Sequence, residues 1–274
     1  MNLTIFLFCL IQGFTEFLPI SSQAHLLFFN NFFSVENEEL NIRQLNILVH
    51  FGSLLAIVFY YFKDCVRLSM SIKHFFRSDL DPYVNLLHCV VISTLPLVCM
   101  GFLVAKFFHM DFLHSFHLIG WTTLTFGIFL FLVDKSFLTI KNLDYLPFDT
   151  AFKLGILQSF ALIPGASRSG LVIMGMRMFG YNRIDSAKFS NLLSVPAILG
   201  AMTYMIYNAE EKLLFFNFSS FLIIFFSFIF SLIFIHFMIS WVRNSSFAIF
   251  MYYRIILGII ILSYFYFDLE NISW

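Results

Sequence analysis

The sequence predicts an all-α polytopic membrane protein, and three observations predict it. Hydrophobic residues fill 60 % of the 274 positions and charged residues 12 %, about half the roughly 25 % charged share of a soluble domain. Six stretches are apolar over the ~20 residues that a helix needs to cross a bilayer core. Two further stretches are apolar but broken by proline. With 16 basic and 16 acidic side chains the net charge is zero, so the basic excess of a nucleic-acid binder is missing. A soluble globular enzyme and a disordered chain are excluded by the same composition, with its mean hydropathy of +0.87.

The first element is the broken stretch 3–29, interrupted from Thr15 to Ser22 around Pro19. Spanning helices are expected at about 45–63, 84–107 and 115–134. A second broken stretch covers 149–180, with its interruption from Pro164 to Gly170. Spans at about 187–207, 217–242 and 248–267 complete the chain. Each half of a broken stretch is too short to cross. Irregular backbone at membrane depth survives only inside protein or against a wet cavity, so both stretches read as re-entrant helical hairpins.

The distribution of cations supports that count. With re-entrant hairpins and six spans, one side receives Lys63, Arg67, Lys73, Arg77, Lys135, Lys141, Arg177, Arg183, Lys188 and Arg243. The other receives Arg43, Lys106 and Lys212, with the acidic Glu36, Glu38, Glu39, Glu210, Glu211, Asp268 and Glu270. The positive-inside rule then places both termini outside the cytoplasm. Gln12-x-Phe leading to Pro19 and Ser22 has a counterpart in Gln158-x-Phe leading to Pro164 and Ser167, one residue shorter. Each hairpin precedes three spans, an odd number, so the second copy must be inverted. A single membrane domain, 1–274, is expected, built from repeats 1–135 and 148–267, a transporter-like plan. Cys9, Cys65, Cys89 and Cys99 lack any metal spacing and read as unpaired thiols. The N-terminus lacks a basic n-region and reads as mature protein.

Glu16 and Arg168 are the charges set deepest in apolar sequence, which makes them functional candidates; the bland alternative is a structural pair. After Pro19 come Ser21, Ser22 and, one helical turn on, His25, a nucleophile beside a candidate base. Ser167-Arg168-Ser169-Gly170 opens another helix. Free amides, hydroxyls and a guanidinium there suit phosphate oxygens, and Gly165 and Gly170 let a ligand approach the backbone. Phosphoryl chemistry at the membrane follows from the pair of sites. His109, His114 and His117 read as interfacial, Ser190 and Ser194 as helix packing, Tyr60, Tyr61, Trp241, Tyr252 and Tyr253 as interface anchors, and Arg254 as snorkelling.

These two motifs, Gln12-Gly-Phe-Thr-Glu16-Phe-Leu-Pro-Ile-Ser21-Ser22-Gln-Ala-His25 and Pro164-Gly-Ala-Ser167-Arg168-Ser-Gly170, resemble the signatures of the undecaprenyl-diphosphate phosphatases, also called bacitracin-resistance proteins. Gly52-Ser53 and Phe189-Ser190 with Ser194 and Pro196 resemble further family segments. The resemblance implies a hydrolase of the inner membrane that removes the terminal phosphate of the C55 lipid carrier diphosphate, so that the carrier re-enters cell-wall synthesis. It carries the catalytic roles onto Glu16, Ser22 and His25 and the phosphate contacts onto Arg168, Ser167 and Ser21, with Ser169, Gly165 and Gly170 around them. Three positions qualify that carry-over. Gln12 takes one carboxylate from any two-carboxylate metal site and is left as a supporting residue. Val172 stands where threonine is usual, and His50 where glutamine often precedes Gly-Ser.

The expected mechanism has Ser22 attack the distal phosphorus and either His25 or Glu16 take its proton. A divalent cation, Mg or Ca, could bridge the diphosphate, with Glu16 the one carboxylate at hand. The partners expected are the polyprenyl diphosphate and membrane lipid, with a homodimer left open. The competing expectation is a lipid-phosphate transporter or flippase on the same inverted repeat, which would need neither Ser22 nor His25.

Overall fold

A computed structural model of the chain describes residues 2–33, 40–76, 81–107, 115–136, 141–207 and 217–269. The expectations for Glu36, Glu38, Glu39, Arg77, His109, His114, Glu210, Glu211, Lys212 and Glu270 lie outside the described residues. Six long apolar helices are present, as expected: α3 (Ile42–Tyr60), α5 (Pro82–Phe107), α6 (Phe116–Ser136), α9 (Arg183–Tyr207), α10 (Phe218–Asn244) and α11 (Ala248–Leu269). Among the described residues there are also five shorter α-helices: α1 (Leu3–Glu16), α2 (Ser22–Phe33), α4 (Phe62–Ser71), α7 (Phe148–Ser159) and α8 (Arg168–Met178). The chain is a multi-pass membrane protein.

Local sequence explains the boundaries. Asn41 caps α3 through the Gln44 amide, and the Gln44 side chain returns to the Asn41 N–H, a capping box. Tyr61 then breaks the helix, and α4 departs with its charges on one face. Helix α9 starts at Arg183, a turn earlier than the expected 187. Its early charges are matched: Arg183 Nε lies 2.9 Å from Asp134 and Lys188 Nζ 2.8 Å from Asp64. Pro96 and Pro196 sit inside α5 and α9 without ending them, which packed membrane helices tolerate.

The short helices hold the two breaks. Helix α1 packs on α10, close enough that a Cβ at Gly13 would lie 2.8 Å from the Ser231 nitrogen. Helix α7 packs on α5, where the Ser93 hydroxyl donates to the Ala151 carbonyl over 2.7 Å. At the other end of α8, Asp134 gathers Arg177 at 2.8 Å, Arg183 and the Phe247 amide. That one buried carboxylate ties α6, α8, α9 and the α10–α11 turn together. Two guanidinium groups and a backbone amide satisfy it, as a buried charge requires.

Candidate active site

The interruptions fold as tight turns with unusual backbone. Ser21 has φ 74° and Ser167 φ 70°, a region that costs a non-glycine residue about 1 kcal/mol or more. The two serines stand nine residues after Gln12 and Gln158 respectively. The strained positions therefore match without a gap, and the one-residue offset read from the prolines disappears. Each strained serine hands over to a helix, α2 or α8. Ser167 caps α8, accepting from the Gly170 amide at 3.2 Å.

The turns meet. The Ser169 hydroxyl donates to the Leu18 carbonyl over 2.8 Å, and Arg168 Nη2 lies 3.4 Å from Glu16 Oε1. Arg168 Nη1 reaches the Ser190 carbonyl on α9. On the opposite oxygen of Glu16, the Ser22 hydroxyl donates at 2.8 Å and the Gln12 amide at 3.2 Å. A hydroxyl donating to a carboxylate is the geometry that a nucleophile and its base require. A cavity of about 410 Å³ opens over these groups. Glu16, Ser21, Ser22, Ser167, Arg168 and Ser169 form its polar floor, and Leu27, Leu97, Ile198 and Ala201 its apolar wall.

His25 is placed elsewhere. Its Nδ1 lies 2.6 Å from the carbonyl of Ser21, the residue before α2, and its Nε2 2.7 Å from the Tyr253 hydroxyl. Since a carbonyl only accepts, Nδ1 carries the hydrogen, and Nε2 of the neutral ring accepts from Tyr253. Of the two base candidates, the structure brings Glu16 onto Ser22 and engages both ring nitrogens of His25 with other groups. Gly165 and Gly170 lie behind the floor, and Gly165 carries φ 90°.

Two residues differ from their sequence reading. Tyr253, expected at the membrane interface, orients His25 and stacks on its ring at 5.6 Å. Arg254, expected to snorkel, is fully buried. Its guanidinium donates to the carbonyls of Thr123, Pro19, Gly165 and Ala166, the closest 2.8 Å away. It lies six residues, roughly 9 Å, into α11. That depth reaches the turns, whose unpaired carbonyls meet its donors. Ser190 behaves as packing, donating to the Ser169 carbonyl. The described member of the histidine trio, His117, pairs with Trp121 and Tyr266.

One residue of the site went unassigned by sequence reasoning. His50 of α3 lines the cavity, with Nε2 3.8 Å from Glu16 Oε2. Its one available signal was the departure from glutamine at that position.

Six membrane-spanning helices, with a carboxylate, a hydroxyl and a guanidinium gathered in one cavity where the two turns meet, define a multi-pass membrane protein with a polar internal site. The comparisons name the family. The family profile "Bacitracin resistance protein BacA" matches residues 5–260, and the chain belongs to that family. Similar curated proteins are the undecaprenyl-diphosphatase of Pelagibacter ubique, 37 % identical over 94 % of this chain and 95 % of its own length, and that of Prochlorococcus marinus, 35 % identical over 95 % of each. The undecaprenyl-diphosphatase of Jannaschia sp. is 32 % identical over 94 % of this chain and 97 % of its own.

Proposed function

We propose that the chain hydrolyses undecaprenyl diphosphate to undecaprenyl phosphate and phosphate, returning the lipid carrier to cell-wall synthesis. The observation that carries this is the Ser22–Glu16 hydrogen bond facing Arg168 in one cavity. Ser22 attacks the distal phosphorus as Glu16 Oε2 takes its proton. Arg168, the Ser167 hydroxyl and the amides opening α8 hold the phosphoryl oxygens, where electrostatic donors of this kind are each worth on the order of 3 kcal/mol of barrier. The lipid phosphate leaves as an anion. Glu16 releases that proton to the cavity, then takes one from the water that cleaves the phosphoserine and returns it to the departing Ser22 oxygen. His25, held by Tyr253, keeps the Ser21 carbonyl and so the strained turn in register.

The polyprenyl chain runs along the Leu27, Leu97 and Ile198 wall. Leu97 and Ile198 of that wall lie in the halves of α5 and α9 that the cation asymmetry assigns to the non-cytoplasmic side of the inner membrane. The ungapped match of the strained serines and the cross-packing of α1 on α10 and α7 on α5 support an inverted repeat.

A protein-held divalent ion does not fit these residues. Both Glu16 oxygens are already engaged, its nearest charged neighbour is the Arg168 guanidinium, and no cluster of three metal-ligating groups exists among the described residues. Divalent metals demand several oxygen ligands, so an accompanying ion belongs to the diphosphate and no step is assigned to it.

The test is phosphate release from a polyprenyl diphosphate by the purified protein, with and without chelator. Release by the wild type supports the reading. Movement of lipid phosphate across liposomes without any release replaces it with transport.

A further inference from the structure

Resting on the phosphatase reading, we propose that His50 is the second station of a proton relay. It accepts from Glu16 the proton that Glu16 takes from Ser22, and passes it to cavity water. Three observations on α3 and around it carry this.

The first is orientation. His50 Nδ1 lies 2.7 Å from the Asn46 carbonyl, one turn back on α3. A carbonyl only accepts, so Nδ1 keeps its hydrogen in either protonation state, and Nε2 is the nitrogen that gains and loses one. The second is address. Nε2 lies 3.8 Å from Glu16 Oε2, the same oxygen that receives the Ser22 hydroxyl at 2.8 Å. That separation is longer than a hydrogen bond, but catalytic contacts are often long before substrate binds. The third is access. His50 borders the cavity, whereas Gln12, the other group on Oε2, is fully buried and carries no titratable proton.

The charged groups facing this ring are few. Glu16 comes from α1 and Arg168 from α8. The cavity residues of α2, α5 and α9 are uncharged: Leu27 and Asn30, Leu97, Ile198 and Ala201 among them. The ring therefore exchanges its proton with Glu16 or with water.

The step balances. The Ser22 O–H bond breaks as Oγ–P forms, and the proton goes to Oε2. The P–O bond to the lipid phosphate breaks, and the electron pair leaves with that phosphate. The O–H bond on Glu16 then breaks as N–H forms at His50 Nε2. Glu16 is again a carboxylate, ready to deprotonate the water that cleaves phosphoserine, and Nε2 gives its proton to the cavity.

The experiment compares wild type, His50→Gln and His50→Ala as full-length protein in lipid, by phosphate release from a polyprenyl diphosphate between about pH 5 and 9. Wild type must hydrolyse; if it does not, the phosphatase reading fails before the relay is tested. His50→Gln retains size and a donor toward Glu16 without a transferable proton. It is expected to lose kcat on the order of tenfold with KM unchanged, less than the ~10² of a full general base because Glu16 remains. Imidazole is expected to restore His50→Ala, the cavity being open. A His50→Gln profile that overlays wild type overturns the proposal. So does a raised KM at unchanged kcat, which would make His50 a substrate contact.

Discussion

At the scale of single residues, the proposed mechanism separates groups that react from groups that hold. Ser22 opens α2, and losing a residue at a helix start costs about 1 kcal/mol, so Ser22→Ala should fold. It should bind a polyprenyl diphosphate near-normally and release almost no phosphate. Wild-type turnover by this variant would transfer the attack to a water activated by Glu16. Arg168 offers two nitrogens, one to Glu16 and one to the Ser190 carbonyl. Lysine supplies a point charge in place of that planar fork. Arg168→Lys should therefore lose most activity, and near-normal turnover would show the guanidinium to be structural.

At the scale of elements, the turn between α7 and α8 is the most tightly fitted piece. Gly165 has φ 90°, and a Cβ there would lie 2.7 Å from the Ile119 carbonyl on α6. Gly165→Ala combines backbone strain with overpacking, each worth about 1–3 kcal/mol. A lowered melting temperature and lost phosphate release should result; an unchanged melting temperature would mean that α6 yields easily.

These turns also mark what the sequence made legible. Pro19 and Pro164, each beside a charge in apolar sequence, located both breaks and brought Glu16, Ser22 and Arg168 to one site. The direction of His25 was not legible. Spacing set it one turn from Ser22, but its ring turns back to the carbonyl four residues earlier and out to Tyr253. Tyr253, Arg254 and His50 come from helices distant in sequence. Each alone resembles an ordinary interface or helix residue, and only tertiary packing brings it to the turns.

At the scale of the whole molecule, orientation in the bilayer decides which leaflet supplies the substrate. Cysteines introduced singly into a cysteine-free background should label from the cytoplasmic side at Lys73, and from the opposite side near Asn2. Labelling of both from one side would sink the six-span topology and the assignment of the cavity to the non-cytoplasmic face.

Arg254 has one consequence for the molecule at rest. Among the described residues no carboxylate pairs with it; only carbonyl oxygens hold it. With Glu16 balancing Arg168, the turnover-ready centre carries a surplus unit of positive charge fixed behind both helix openings. Such a centre favours any small oxyanion, including the orthophosphate that hydrolysis leaves behind. Product escape then competes with a standing attraction. Orthophosphate should inhibit competitively, and Arg254→Met, if it folds, should weaken that inhibition.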